Sequence, residues 1–104
     1  MTTFFVSRHP GAIEWAATQS FRVDALMAHI DPTQVQSGDT VIGSLPVNLA
    51  AQVCERGAAY WHLSLALPAD LRGRELSADD MQRLGARIKH FSIIEVPALS
   101  QRTP

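Results

Sequence analysis

The chain has 104 residues, 46% of them hydrophobic and 18% charged, with a formal net charge of −1. That is the length of one domain, with enough apolar residues for a core and too few charges for a disordered chain. The single cysteine, Cys54, excludes an internal disulfide framework and a four-cysteine zinc site, and the absence of a basic stripe argues against long nucleic acid as a partner.

Met1 to Ser7 carries no positive n-region, so no signal peptide is read there. No window of the chain approaches the ~20 apolar residues of a membrane span. With one cysteine and neither kind of segment, a reducing cytoplasmic setting is expected. Thr2 to Val6 is β-branched and aromatic and reads as a buried strand. Ser7-Arg8-His9 turns, and Pro10 opens a helix, where its missing N–H is not needed. Ile13, Ala16, Ala17 and Ser20 are expected to face the sheet at helical spacing. A second strand is expected over Ala25 to Ile30, ended by Asp31-Pro32.

Gly38-Asp39 is a turn signal, and Thr40 to Gly43 is a third strand. Ser44-Leu45-Pro46 then repeats the first pattern: strand, small polar turn, proline, helix. The helix that follows carries Leu49, Val53 and Cys54 on one face, so Cys54 reads as core. Gly57 stands where a left-handed C-terminal cap belongs. Tyr60 to Leu67 is the next strand, stopped by Pro68. Ser77 to Asp80 resembles a capping box, and Met81, Leu84, Ile88 and Phe91 recur at spacings that predict one amphipathic helix. Ser92 to Val96 is expected as a last edge strand, and residues 97–104 as a frayed tail. The order β-α-β-β-α-β-α-β predicts an α/β domain with a mostly parallel sheet covered on both faces. The short link between the second and third strands is the difficulty, because a parallel crossover usually needs a dozen residues. A tight helical turn at Pro32 to Val35 would serve; otherwise the second strand pairs antiparallel at an edge.

Ligands of open α/β sheets bind beyond the carboxyl ends of the strands. The two similar strand-to-helix turns lie there, and helix N-termini offer unpaired N–H groups that favour phosphate. Gly11 and Gly43 would let a ligand approach the backbone. Neither turn is a P-loop or a G-x-G-x-x-G fingerprint, so ATP and NAD have no motif, and no cofactor is expected. Arg8 offers a bidentate phosphate clamp or a surface ion pair with Glu14. His9, at a helix start, offers a neutral general base or a simple cap. Ser7 and Ser44 offer hydroxyl donors to phosphate or ordinary caps. Asn48 offers a contact to phosphate, a 2′-hydroxyl or an adenine edge, or plain solvation. His62 alternates with Trp61 and Leu63 and is read as a half-buried core histidine or a site residue. His90 is placed at a helix C-terminus without function. Trp15, Tyr60 and Trp61 serve core or dimer packing, or stack bases. Arg72 and Arg74 lie in a loop, solvated or closing over a ligand. The four histidines are too scattered for a metal site.

The run Phe4 to Trp15 (FFVSRHPGAIEW) resembles the N-terminal signature of the CRISPR-associated Csx-sixteen family. Gly38 to Ala50 (GDTVIGSLPVNLA), Tyr60 to Leu63 (YWHL) and Leu71 to Ser77 (LRGRELS) are similar to it as well, and the resemblance extends from about Thr2 to about Phe91. Ser44 stands where many relatives carry threonine; both keep a hydroxyl. The resemblance implies a Rossmann-like, CARF-like domain. It also implies a ring nuclease that opens cyclic tetra-adenylate, the messenger of type III CRISPR complexes, without metal, giving linear adenylates with 2′,3′-cyclic phosphate ends. The implied catalytic residues are Ser7, Arg8 and His9. The implied ligand contacts are Gly11, Glu14, Gly43, Ser44, Leu45, Pro46, Asn48 and His62, and the implied partner is a second copy of the chain, forming a homodimer. Alternatives are a non-catalytic sensor or sponge for the messenger, a protein that docks on a CRISPR effector, and an unrelated small nucleotide-binding enzyme of the same architecture.

Overall fold

The structure, a computed structural model, describes residues 1–96; the expected tail at 97–104 lies outside the described residues. The strands are β1 (Thr3–Val6), β2 (Ala25–Met27), β3 (Thr40–Gly43), β4 (Ala59–Ser64) and β5 (Arg87–Phe91). The helices are α1 (Pro10–Ala17), α2 (Val47–Glu55) and α3 (Ala78–Arg83), with short 3-10 turns at Pro32–Gln34 and Ala69–Leu71. The strands form one sheet in the order β2-β1-β3-β4-β5. The first four are parallel and β5 runs antiparallel to β4. This is a Rossmann-like α/β arrangement. No helix among the described residues is long and apolar enough to cross a membrane.

Alternation along the strands sorts the core into two layers. Phe5, Ile42 and Leu63 face α1 and α3, where Trp15, Ala16 and Met81 bury against them. Val41 and Tyr60 face α2, with Ala50, Val53, Ile30 and Val35. Trp15 and Tyr60 are each 2% exposed, so both are core residues. The Trp15 Nε1–H donates to Gln82 Oε1 at 3.2 Å, which ties α1 to α3.

Several sequence expectations need correction. The buried face of α1 is Gly11, Ala12, Trp15 and Ala16; Ala17 and Ser20 are exposed. The second strand stops at Met27 and the fourth at Ser64. The short link does make a parallel connection, on the α2 side of β1, through the 3-10 turn at Pro32–Gln34. The Asp31 carboxylate holds that turn by accepting from the Thr33 N–H (3.0 Å) and hydroxyl (2.7 Å), while Ile30 and Val35 anchor it in the core. Cys54 on α2 is half-buried, with its sulfur accepting from the Ile93 N–H at 3.5 Å.

The largest correction is at the C-terminal side. The single helix expected from Met81 to Phe91 is α3 followed by β5, and residues 92–96 form no strand. Ser77 and Asp80 do form a reciprocal capping box at the start of α3. The helix then ends in a Schellman motif. Gly85 adopts φ +74°, its N–H donates to Gln82 O, and the Ala86 N–H donates to Met81 O at 2.9 Å. Beyond it Ile88 pairs with Leu63 and Phe91 with Tyr60 across the antiparallel ladder. His90, expected at a helix end, lies on β5 and stacks on Trp61 with ring centroids 4.9 Å apart.

Candidate functional site

Strand order decides where a ligand can enter. The chain leaves β1 through α1 on one face of the sheet and leaves β3 through α2 on the other. Because β1 and β3 are hydrogen-bonded neighbours, with Val6 opposite Gly43, their following turns sit side by side and diverge. That divergence is the topological switch point of an open α/β sheet, where such folds bind ligands. It brings Ser7, Arg8 and His9 next to Gly43, Ser44, Leu45 and Pro46.

The two turns are built differently. After β1, the Ser7 N–H continues the ladder to Met27 O at 2.9 Å, and Ser7 Oγ accepts from the His9 N–H at 3.1 Å. The Ser7 hydroxyl proton remains available to a ligand. His9 is the N-cap of α1 and makes no side-chain cap, so the first-turn donors of that helix are not satisfied by a side chain. The side chains of Arg8 and His9 are exposed and bond no neighbour among the described residues; the ion pair of Arg8 with Glu14 is not formed. After β3, the Ser44 hydroxyl donates to Leu63 O at 2.6 Å. Its single proton is therefore spent within the fold and does not serve phosphate. Pro46 caps α2 through its carbonyl alone, again with no side-chain cap. Asn48 lies exposed in the first turn of α2, and Glu14 is exposed on α1.

The two glycines have packing reasons. A Cβ on Gly11 would lie 1.7 Å from Leu76 O, so Gly11 lets α1 pack against the strand-to-helix segment before α3. A Cβ on Gly43 would lie 2.8 Å from Val6 O, so Gly43 serves the close approach of β1 and β3. Both are buried.

His62 belongs to a second, adjacent feature. It sits beside Gly43 on β4, and its Nδ1 lies 2.7 Å from the Tyr60 hydroxyl. That oxygen also receives the Leu45 N–H (3.0 Å) and lies 3.1 Å from Gly43 O. We assign the tautomer of His62 from this arrangement. A carbonyl only accepts, so the phenol proton goes to Gly43 O; an amide N–H only donates, so Leu45 gives to the phenol oxygen. The remaining contact is complete when His62 Nδ1 carries the proton, which leaves a lone pair on Nε2. Burial pushes the Tyr60 phenol above its ordinary value, so it keeps that proton at neutral pH. An open cleft of about 220 Å³ lies above this network, lined by Leu45, Val47, Tyr60, His62, Phe91 and Ile93 among others. Phe91 stands nearly perpendicular to the His62 ring, with centroids 6.1 Å apart.

Sequence reasoning did not find the Tyr60 hydroxyl or Phe91 as site features. The alternation Tyr60-x-His62 on one strand face was the only signal for the first. Placing Phe91 on a helix hid the second. Trp61 is partly buried beneath His90, and Arg72 and Arg74 are exposed beside the 3-10 turn at Ala69–Leu71. Among the described residues no three His, Cys, Asp or Glu side chains gather as metal ligands would.

No curated protein and no solved structure matches the chain significantly. One family model does, over residues 4–94, which takes in both turns, the Tyr60–His62 strand and β5; its description is "Putative CRISPR-associated protein (Cas_VVA1548)". With nearly all of its length inside that match, the chain belongs to this CRISPR-associated family.

Proposed function

We propose that the protein is a metal-independent ring nuclease that opens cyclic tetra-adenylate, using the crevice between the β1 and β3 turns. The observation that carries this reading is the side-by-side placement, at the switch point, of two helix starts without side-chain caps, joined by Arg8, His9 and the free Ser7 hydroxyl. Membership in a CRISPR-associated family and the resemblance of FFVSRHPGAIEW and GDTVIGSLPVNLA to Csx-sixteen proteins support it.

The chemistry asks little of the protein beyond geometry. A ribose 2′-hydroxyl attacks the adjacent phosphorus while the 5′ oxygen opposite leaves, giving a 2′,3′-cyclic phosphate and a free 5′-hydroxyl. Holding those three atoms in line is the main task, since a closed ring of four nucleotides does not favour that alignment. Helix N–H groups, the Ser7 hydroxyl and Arg8 meet the charge that builds on the phosphate oxygens. His9 takes the 2′ proton or returns one to the leaving oxygen, a role worth about 10²–10⁴-fold. Two copies of the chain around a two-fold axis would offer one half-site each to the pseudo-symmetric ring, as a homodimer. A second reading, capture of the messenger without cleavage, draws on the exposure of Arg8 and His9, which no described neighbour orients.

The test is incubation with labelled cyclic tetra-adenylate in EDTA and separation of the products. Linear adenylates ending in 2′,3′-cyclic phosphate are expected. An intact ring retained on the protein supports the capture reading, and an intact ring that does not bind ends both.

A further inference from the structure

The cleft between α2 and β5 is separate from the turn that carries Arg8 and His9, yet it shares the Leu45–Val47 segment with the switch-point crevice. Its apolar lining is Leu45, Val47, Ala50, Phe91 and Ile93, and its polar side chains are Tyr60 and His62. A volume of about 220 Å³ is below the ~300 Å³ at which pockets for drug-sized ligands begin, and suits one planar ring system. Val47 is 69% exposed and Phe91 45% exposed, so apolar surface stands open at the mouth. With the phenol proton assigned to Gly43 O, the Tyr60 hydroxyl accepts from His62 Nδ1, which leaves the lone pair on Nε2. An apolar slot whose polar group is a hydrogen-bond acceptor selects a flat ligand that brings a donor.

We propose that this cleft seats one nucleobase of the ligand and that His62 Nε2, accepting from an exocyclic amino group, selects adenine over hypoxanthine. This deepens the ring-nuclease reading and rests on it for the identity of the ligand. The phosphate of that nucleotide then falls toward the first turn of α2, where Asn48 stands. A base with a carbonyl in place of that amino group sets acceptor against acceptor at that position, and hypoxanthine has to shift within the slot to offer its N1–H instead, which costs affinity.

The experiment measures equilibrium binding of two rings, cyclic tetra-adenylate and its inosine counterpart, both carrying 2′-fluoro groups so that no attacking hydroxyl exists. The wild type is expected to prefer the adenylate ring by about tenfold or more, and His62→Phe, which keeps a ring but removes the acceptor, to lose that preference. Phe91→Ala is expected to weaken both rings alike and leave their ratio unchanged. Melting curves check that both variants are folded. Equal affinity of the wild type for the two rings overturns the proposal, as does an undiminished preference in His62→Phe. If the wild type binds neither ring, the ring-nuclease reading falls on its own. The cleft is then judged with 5′-AMP and 5′-IMP on protein carrying ¹⁵N-labelled histidine. A His62 ring shift with AMP alone sustains it; no shift with millimolar AMP, or equal shifts with both, overturns it.

Discussion

The two ends of the parallel sheet are built on opposite plans. At the amino end every strand is tied to its neighbour. The buried Asp39 carboxylate accepts from the Thr2 and Gln36 N–H groups, each at 2.9 Å, and the Thr40 N–H donates to Thr2 O. Asp24 accepts from the Thr3 N–H at 2.9 Å, and the Ala59 N–H donates to Asp39 O. At the carboxyl end Arg8, His9 and Asn48 stand exposed, and both helices begin without a side-chain cap. The difference separates anchoring from the proposed chemistry. One end fixes the spacing and register of β1, β2, β3 and β4, and so fixes where the unsatisfied groups of the other end stand.

The sharpest test of that division is His9→Ala. If the carboxyl end carries the reaction, single-turnover cleavage of cyclic tetra-adenylate slows by about 10²–10⁴-fold. The melting midpoint stays nearly unchanged, since surface substitutions fall within about 0.5 kcal/mol. Stopped single-turnover assays and a thermal melt on the same sample read both quantities. An unchanged rate removes His9 from the mechanism, and a large drop in stability breaks the proposed division of labour.

Gly11 is placed to blur the comparison, because it lies at the carboxyl end yet packs as a core residue. Gly11→Ala puts a methyl group against the Leu76 carbonyl, which is backbone and yields little. Overpacking of this kind typically costs about 1–3 kcal/mol, and the upper end is expected here. Chemical denaturation should show that loss even in a protein that never meets a ligand. Stability equal to wild type would mean that α1 and the 76–77 segment move apart freely.

The pair Gly57 and Gly85 shows what the sequence could reveal about this fold. Both close a helix with the same Schellman bonds, from C′ to C2 and from C″ to C3, at φ +89° and +74°. Gly57 was legible because a new apolar strand begins directly after it. Gly85 was masked because Ile88 and Phe91 happen to continue a helical spacing from Met81, so β5 was read as helix. Turn chemistry, not periodicity, held the right answer there. The switch-point turns were legible because each is a local pattern of strand, small polar residues and proline. The Tyr60 network was not, since its partners Gly43 and Leu45 come from the end of β3 and the turn after it, and no spacing within β4 announces them. Gly11 and Ser44 were legible as candidates but not in their roles, because Leu76 and Leu63, which occupy them, are remote in sequence.

Tyr60→Phe probes the region between the two ends. The ring volume is kept and only the hydroxyl goes, leaving the Leu45 N–H, Gly43 O and His62 Nδ1 without that partner. Unsatisfied buried groups cost about 1–3 kcal/mol, and water entering from the open cleft holds the expected loss near the lower bound. The nitrogen shifts of His62 should move as well, because its tautomer loses the bond that fixes it. A shift pattern identical to wild type would show that the hydroxyl does not set the ring.

The smallest effect expected belongs to the amino end and is read against pH. The Gln36 and then the Thr2 N–H groups hold the Asp39 carboxylate below its ordinary range. Asp31, held by Thr33, and Asp80, held by Ser77 and Arg83, are lowered likewise. A carboxylate whose folded value is depressed adds stability that is fully present above the ordinary value near 4. That stability fades as pH falls through the lower folded value. The melting midpoint should therefore be level through neutral pH and decline on the acid side. Asp39→Asn removes one of the three contributors, since an amide keeps one acceptor oxygen and turns a donor toward the other N–H. Its melting midpoint should lie below that of the wild type at neutral pH, and the two curves should converge toward acid. Parallel curves would place the acid sensitivity in Asp31 and Asp80 and leave Asp39 as a spacer, and the amino end would then be held by the Asp24–Thr3 bond and the backbone bonds.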